Sequence, residues 1–159
     1  MMNKEMFSKR FKTLIASHGF NNKDVAEILD CKIAQISHWA VGYVLPPPKH
    51  LLRIIVRFQL KPDFFVTENK KGFLIATGDT INATADIVSA RRLSQRLRVL
   101  FAEKGLRHKV LVDELGVSIG TMSAWMTGRC YVNFSALIHF ILKFELDYTF
   151  FDGKERSEL

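Results

Sequence analysis

The apolar residues of this chain recur mainly every three to four positions, the spacing of helices with one buried face. Phe7, Phe11, Leu14 and Ile15 mark a first helix, which Gly19 ends. Asn21 is a favourable N-cap for a second, with Asp24 at its third helical position; Val25, Ala26, Ile28 and Leu29 form its apolar side. After a turn at Asp30–Cys31, Ile33, Ile36, Trp39 and Ala40 mark a third helix, closed by Gly42. Pro46, Pro47 and Pro48 predict a stiff extended loop. Leu51, Leu52, Ile55, Val56 and Phe58 form a fourth helix, and Phe64–Phe65 cap the core. Period-2 alternation is absent outside a stretch at 73–82, so the expected fold class is all-α.

The pattern then starts again. Shifting the sequence by 86 positions lays residues 7–65 on 93–151 without a gap, and 17 of the 59 pairs are identical. Among them are Ser8/Ser94, Arg10/Arg96, Gly19/Gly105, Trp39/Trp125, Gly42/Gly128 and Phe65/Phe151. A repeat of this kind signals two copies of one small fold. The expected organisation is a first domain at 1–66, a linker at 67–83, a second domain at 84–153 and a tail at 154–159. The first helix of the second copy is expected to start near Thr84 and run to Gly105. Within the linker, Gly78-Asp79 between β-prone residues predicts a short hairpin or an extended crossing over 73–82.

Composition narrows the function. A net charge of +7 favours a polyanionic partner, usually nucleic acid. The excess is uneven: residues 1–72 carry 12 basic and 6 acidic side chains, and 91–109 carry 7 and 1, whereas 110–159 carry 4 and 7. No run of about 18 apolar residues exists, and the N-terminus lacks the apolar core of a signal peptide. Cys31 and Cys130 stand far apart without CxxC spacing, so neither a disulfide scaffold nor a zinc site is expected, and a reducing cytoplasm is the default.

Two segments carry the functional signal. Asn22–Gly42 and Lys109–Gly128 each hold a helix, a three-residue turn and a second helix reading Ile-x-x-Ile-Ser-x-Trp-x-x-Gly in the first copy and Ile-x-x-Met-Ser-x-Trp-x-x-Gly in the second. Each is followed by a further helix and an Asp-Phe-Phe-like close, Asp63-Phe64-Phe65 and Asp147–Phe151. This order resembles the helix-turn-helix of the lambda repressor–Cro family over about 120 of the 159 residues. The resemblance implies two tandem lambda-repressor-like bundles whose second motif helix enters the major groove. Ile36 and Trp39, with Met122 and Trp125, then dock on the core. The implied readers at the start of that helix are Lys32, Ile33, Ala34, Gln35 and His38 in the first copy. In the second they are Ser118, Ile119, Gly120, Thr121 and Ala124. Gln35 suits adenine, and Ala34, Thr121 or Ala124 a thymine methyl. Phosphate contacts are implied for Asn22, Lys23, His108 and Lys109 at the preceding helix starts, and for Tyr43 and Arg129 in the loops after the motif.

The sequence departs from the family in several places. The pair of polar readers common there is replaced by Ile33-Ala34 and Ile119-Gly120. An ion pair that many members bury is replaced by Ile15 and Ala40 in one copy, and by Phe101 and Met126 in the other. The loop at Val44, Leu45 and the prolines is apolar where basic residues are common, a patch suited to another protein. Ser118 is a good N-cap, whereas Arg107 is a poor one. One copy is thus a candidate for dimerisation. The run Arg91-Arg92-Leu-Ser-Gln-Arg96-Leu-Arg98 predicts a basic helix face opposite Leu93, Leu97, Leu100 and Phe101, placed to meet DNA backbone.

Enzyme chemistry finds little footing. The five histidines show no metal spacing and no Gly-rich phosphate loop exists, so no catalytic residue, metal or cofactor is expected. Only six residues follow Gly153, so the self-cleaving C-terminal domain of many phage repressors is not expected. The expected function is a sequence-specific double-stranded DNA-binding regulator of phage or mobile-element type, cytoplasmic and nucleoid-associated, a homodimer that represses by occluding a promoter. The alternative is a protein-interaction module of the same fold, antitoxin-like or anti-repressor, with weakened readout. A basic membrane-surface protein is disfavoured, because the basic groups sit on core-packed helices.

Overall fold

The computed structural model describes residues 2–66 and 81–154. Its regular elements are helical apart from one isolated antiparallel bridge, Ile87 with Asp152. The first half holds α1 (Lys4–Ser17), α2 (Asn22–Leu29), α3 (Ile33–Ala40), α4 (Pro48–Arg57) and a 3₁₀ turn at Pro62–Phe65. The second holds α5 (Ala90–Glu103), α6 (His108–Leu115), α7 (Ile119–Met126), α8 (Phe134–Phe144) and a 3₁₀ turn at Tyr148–Phe150. Each helix of the second half begins 86 residues after its counterpart, so the repeat in sequence is a repeat in backbone.

Local chemistry sets the boundaries. Asn3 accepts from the Met6 N–H at 2.9 Å and opens α1. Asn21 and Asp24 close the expected capping box on α2, with bonds of 2.9 and 3.0 Å. The turn to α3 passes through Asp30 at φ 54°, and its repeat mate Gly116 has φ 67°. Only Gly adopts that region without strain, so the second copy has the cheaper residue at the same bend.

Two boundaries differ from those the sequence predicts. The second copy's first helix starts at Ala90, not near Thr84, and ends at Glu103. Ser89 caps it by accepting from the Arg92 N–H at 3.2 Å. Just before that cap, the chain is held extended against the C-terminal segment. Val88 N–H donates to Phe151 O at 2.8 Å, and Gly153 N–H to Asp86 O at 2.7 Å. The prolines do not all lie in a loop either, since Pro48 occupies the first turn of α4, where a missing N–H costs nothing. Ile33, at the start of α3, is 51% exposed. The hairpin expected over 73–82 lies, except for its last two residues, outside the described residues.

The core is continuous between the halves. Phe7 stacks on Phe11 with ring centroids 5.6 Å apart, and Phe11 meets Trp39 edge-on at 6.3 Å. Phe7 also meets Phe134 of α8 edge-on at 5.7 Å. Helix α8 packs on α4 and on the Pro62–Phe65 turn, while α4 packs on the Tyr148–Phe150 turn. Exchanging the copies turns the one contact into the other, which is the reciprocity of a two-fold interface built within one chain. Arg57 reinforces it by donating to Ala85 O at 3.0 Å, while its other end donates to Ile28 O at 2.7 Å within the first half.

Two buried arginines repeat as well. Arg10 donates to Phe64 O at 2.8 Å, and Arg96 to Phe150 O at the same distance. Arg96 further donates to Asp152 O at 2.8 Å and Lys154 O at 3.0 Å. In each copy a buried guanidinium therefore pins the closing 3₁₀ turn to the first helix. Burial lowers the pKa of Arg10 from its usual value. This corrects the basic face expected on α5: Arg91, Arg92 and Arg98 are exposed, but Arg96 points inward.

Candidate nucleic-acid interface

In each half the two short helices of the motif meet at a tight turn, and the apolar face of the second is buried. Ile36 and Trp39 are buried in α3, and Met122, Trp125 and Met126 in α7. That anchoring leaves the opening turn of α3 and α7 facing outward. None of the sixteen candidate residues is buried. In the first copy Lys23, Lys32, Ile33, Ala34, His38 and Tyr43 are exposed, and Asn22 and Gln35 are half-buried. In the second, His108, Lys109, Ser118, Ile119, Gly120 and Arg129 are exposed, and Thr121 and Ala124 half-buried.

Local hydrogen bonds restrict what some of these side chains can offer. Gln35 accepts from the Lys32 N–H through Oε1 at 3.0 Å, serving as the cap of its own helix. While that bond is kept, only its Nε2 can face a base edge, so the bidentate pairing with adenine competes with the cap. Thr121 is similarly committed: its N–H donates to Ser118 Oγ at 3.0 Å, and the two hydroxyls lie 2.9 Å apart. Its methyl group remains available to an apolar partner. The His38 and Tyr43 rings lie 5.5 Å apart, so the loop tyrosine leans on the helix.

The copies differ in charge at the same place. Gly128 lies at φ +77°, and a Cβ built on it would stand 2.5 Å from Arg91 Cα. The loop carrying Arg129 therefore sits directly on the start of α5, beside Arg91 and Arg92. Arg129 Nε donates to Thr127 Oγ1 at 3.3 Å, which orients the guanidinium. The repeat mates of Arg91 and Arg129 are Glu5 and Tyr43, and Glu5 is paired with Lys9 at 3.3 Å. The second copy thus concentrates arginine where the first is acidic or aromatic. The sequence reading had the basic residues but not this juxtaposition; the identity Gly42/Gly128 was the signal for the close approach.

The helix starts differ too. Arg107 supplies no side-chain cap to α6, as expected, whereas the start of α2 is closed by its capping box. The C-terminal end of α2 is bound by Arg57 to Ile28 O, while α6 is tied to α8 by Glu114. That carboxylate lies 2.8 Å from His139 Nε2 and 2.7 Å from Lys143 Nζ. The Lys143 hydrogen bond, more than the His139 one, holds Glu114 below the usual carboxylate range. Among the described residues no cluster of three His, Cys, Asp or Glu could hold a metal, and no helix is long and apolar enough to cross a membrane. No family model, no curated protein and no solved structure matches the chain.

Proposed function

We propose that this chain is a sequence-specific double-stranded DNA-binding regulator, built as two tandem helix-turn-helix units of lambda repressor–Cro type. The observation that carries the reading is the repetition, 86 residues apart, of a core-anchored short helix whose opening turn is exposed. Helices of that kind read major-groove edges with their first residues. The reciprocal packing of α4 and α8 supports a paired arrangement. One chain carries what two chains of a single-motif protein would bring, and the homodimer expected from the sequence would carry four such helices. Repression follows by occlusion of a promoter. The Arg91, Arg92 and Arg129 cluster makes the second copy the stronger phosphate anchor. Selection of duplexes from a random pool by the full chain tests the reading. The selected sequence is expected to bind on the order of 10³-fold or more above random DNA. Equal binding of both would overturn it.

A second reading is favoured by one specific observation. Ile33, Val41, Tyr43 and Val44 are all large, exposed and within or just after α3; Tyr43 is 70% and Val41 62% exposed. Such a patch suits a protein partner, in the manner of an anti-repressor or antitoxin. The same selection separates the two, because that reading yields no preferred duplex.

A further inference from the structure

The two copies part company in the hollow between the motif helices. In the second copy a groove of about 660 Å³ runs over α5, α6 and α7. Val112 and Ile119 line it, and the core residues Met122 and Met126 reach its base with little of their surface exposed. Ile119 is 78% exposed, so a large apolar surface stands in water for an occupant to cover. The rim is basic: Arg98, His108 and Lys109 stand against a single acid, Asp113. The start of α6 opens at this rim without any side-chain cap.

In the first copy a hollow of about 320 Å³ lies over α2 and the turn to α3, lined by Lys23, Ala26, Glu27, Asp30, Cys31 and Ile33. In the repeat, Ala26 corresponds to Val112, Ile36 to Met122 and Ala40 to Met126. The second-copy groove is about twice as large and carries Arg98, His108 and Lys109 at its edge. A volume of 660 Å³ lies in the range of small-molecule sites.

We propose that the groove of α5, α6 and α7 binds a small amphiphilic anion, an aliphatic or aromatic body bearing a carboxylate. The body covers Ile119 and Val112, and the acid meets Arg98, His108 and Lys109. Because His108, Lys109 and Ile119 also belong to the proposed DNA face, this ligand and DNA exclude each other at the second copy. That second half rests on the DNA-binding reading; the first does not. Mutual exclusion is reciprocal, so the anion weakens DNA binding by the factor by which DNA weakens the anion.

Calorimetric titration of the full chain with sodium decanoate and decyltrimethylammonium below their micellar concentrations, and with decan-1-ol below its solubility limit, all without DNA, tests the site. Decanoate is expected to saturate at one per chain and to bind at least ~10-fold tighter than either analogue. Ile119→Asp, at an exposed position, is expected to weaken decanoate by at least ~10-fold with unchanged helical circular dichroism. Ile33→Asp, its mate in the first copy, is expected to leave decanoate binding as it was. Arg98→Gln with Lys109→Gln is expected to abolish the preference over the alcohol. Absence of saturable decanoate binding, equal binding of the three amphiphiles, or parental affinity in Ile119→Asp would overturn the site. A selected duplex is then titrated with decanoate at saturation. Unchanged DNA affinity overturns the exclusion, whereas decanoate binding in a chain that selects no duplex upholds the site and overturns the DNA reading.

Discussion

Three glycines with left-handed backbones offer a graded test of how the second copy is put together. Gly105 lies at φ +65° with nothing within 4 Å of a built Cβ. Gly42 lies at φ +78° with Ser8 Cβ at 3.3 Å. Gly128 lies at φ +77° with Arg91 Cα at 2.5 Å and Arg91 N at 3.1 Å. Replacement by Ala incurs the left-handed penalty of about 1–2 kcal/mol at all three, partly offset by about 0.4–1 kcal/mol of lost unfolded-state freedom. Gly105→Ala should therefore cost about 1 kcal/mol. Gly42→Ala should cost slightly more, because a serine side chain must give way by a few tenths of an ångström. At Gly128 the obstacle is backbone in the first turn of α5, held there by the Ser89 cap. Either the helix or the loop must move, adding about 1–3 kcal/mol of overpacking strain, for a total near 3 kcal/mol. Urea unfolding of each full-length variant, with m compared to the parent, reads these differences directly. If Gly128→Ala comes within about 0.5 kcal/mol of Gly105→Ala, the loop does not sit on the start of α5. The Arg91, Arg92 and Arg129 cluster would then lose its structural basis as well.

Other outcomes follow from the same contacts. Arg96→Met removes three charge-assisted bonds to backbone carbonyls and should lower stability by about 3 kcal/mol in urea; a loss under about 1 kcal/mol would mean that the closing turn holds without it. Glu114→Gln should cost about 0.5–1 kcal/mol at neutral pH, since the pair is about a third exposed. The folded carboxyl lies below its unfolded value of about 4.3, so that stabilisation is present above this pH and fades as pH falls through the lower folded value. A parent–variant difference that persists at pH 2 would contradict this origin. On DNA, Gln35→Ala and His38→Ala should relax preference at one or two base pairs, each by about 1–3 kcal/mol, while Lys23→Ala weakens all sequences alike. Parental binding by all three variants would exclude the first copy as a reader.

Much of the fold was legible because one backbone was written twice. Gln59 and Glu145 are unlike side chains, yet both sit at φ 52° in matching bends. The capping box of Asn21 and Asp24 and the cap at Ser118 were visible because such bonds span three residues. What was hidden depended on partners distant in sequence. Residues 84–88 have the composition of a helix start, but Asp86, Ile87 and Val88 bond to the segment around Asp152, which local pattern cannot reveal. Arg96 looked like one more cation in a basic run; only its identity with Arg10 hinted at a structural role. At the candidate site the exposed residues were found, and their engagement was not. The cap made by Gln35, the Ser118–Thr121 pair and the seat of Gly128 on Arg91 all depend on rotamer and close approach. The groove beside Ile119 escaped notice for a different reason: it is a space between α5, α6 and α7, which no single segment shows.

Hydroxyl-radical footprinting of the full chain on its selected duplex shows whether α3 and α7 read DNA together from one shared core. Two protected stretches are expected on one face, their centres about one helical turn or 10–10.5 base pairs apart, with unlike sequences because the reader sets differ. Ile119→Asp should erase one stretch and Ile33→Asp the other. A single short footprint, unaffected by one of these substitutions, would contradict the paired reading.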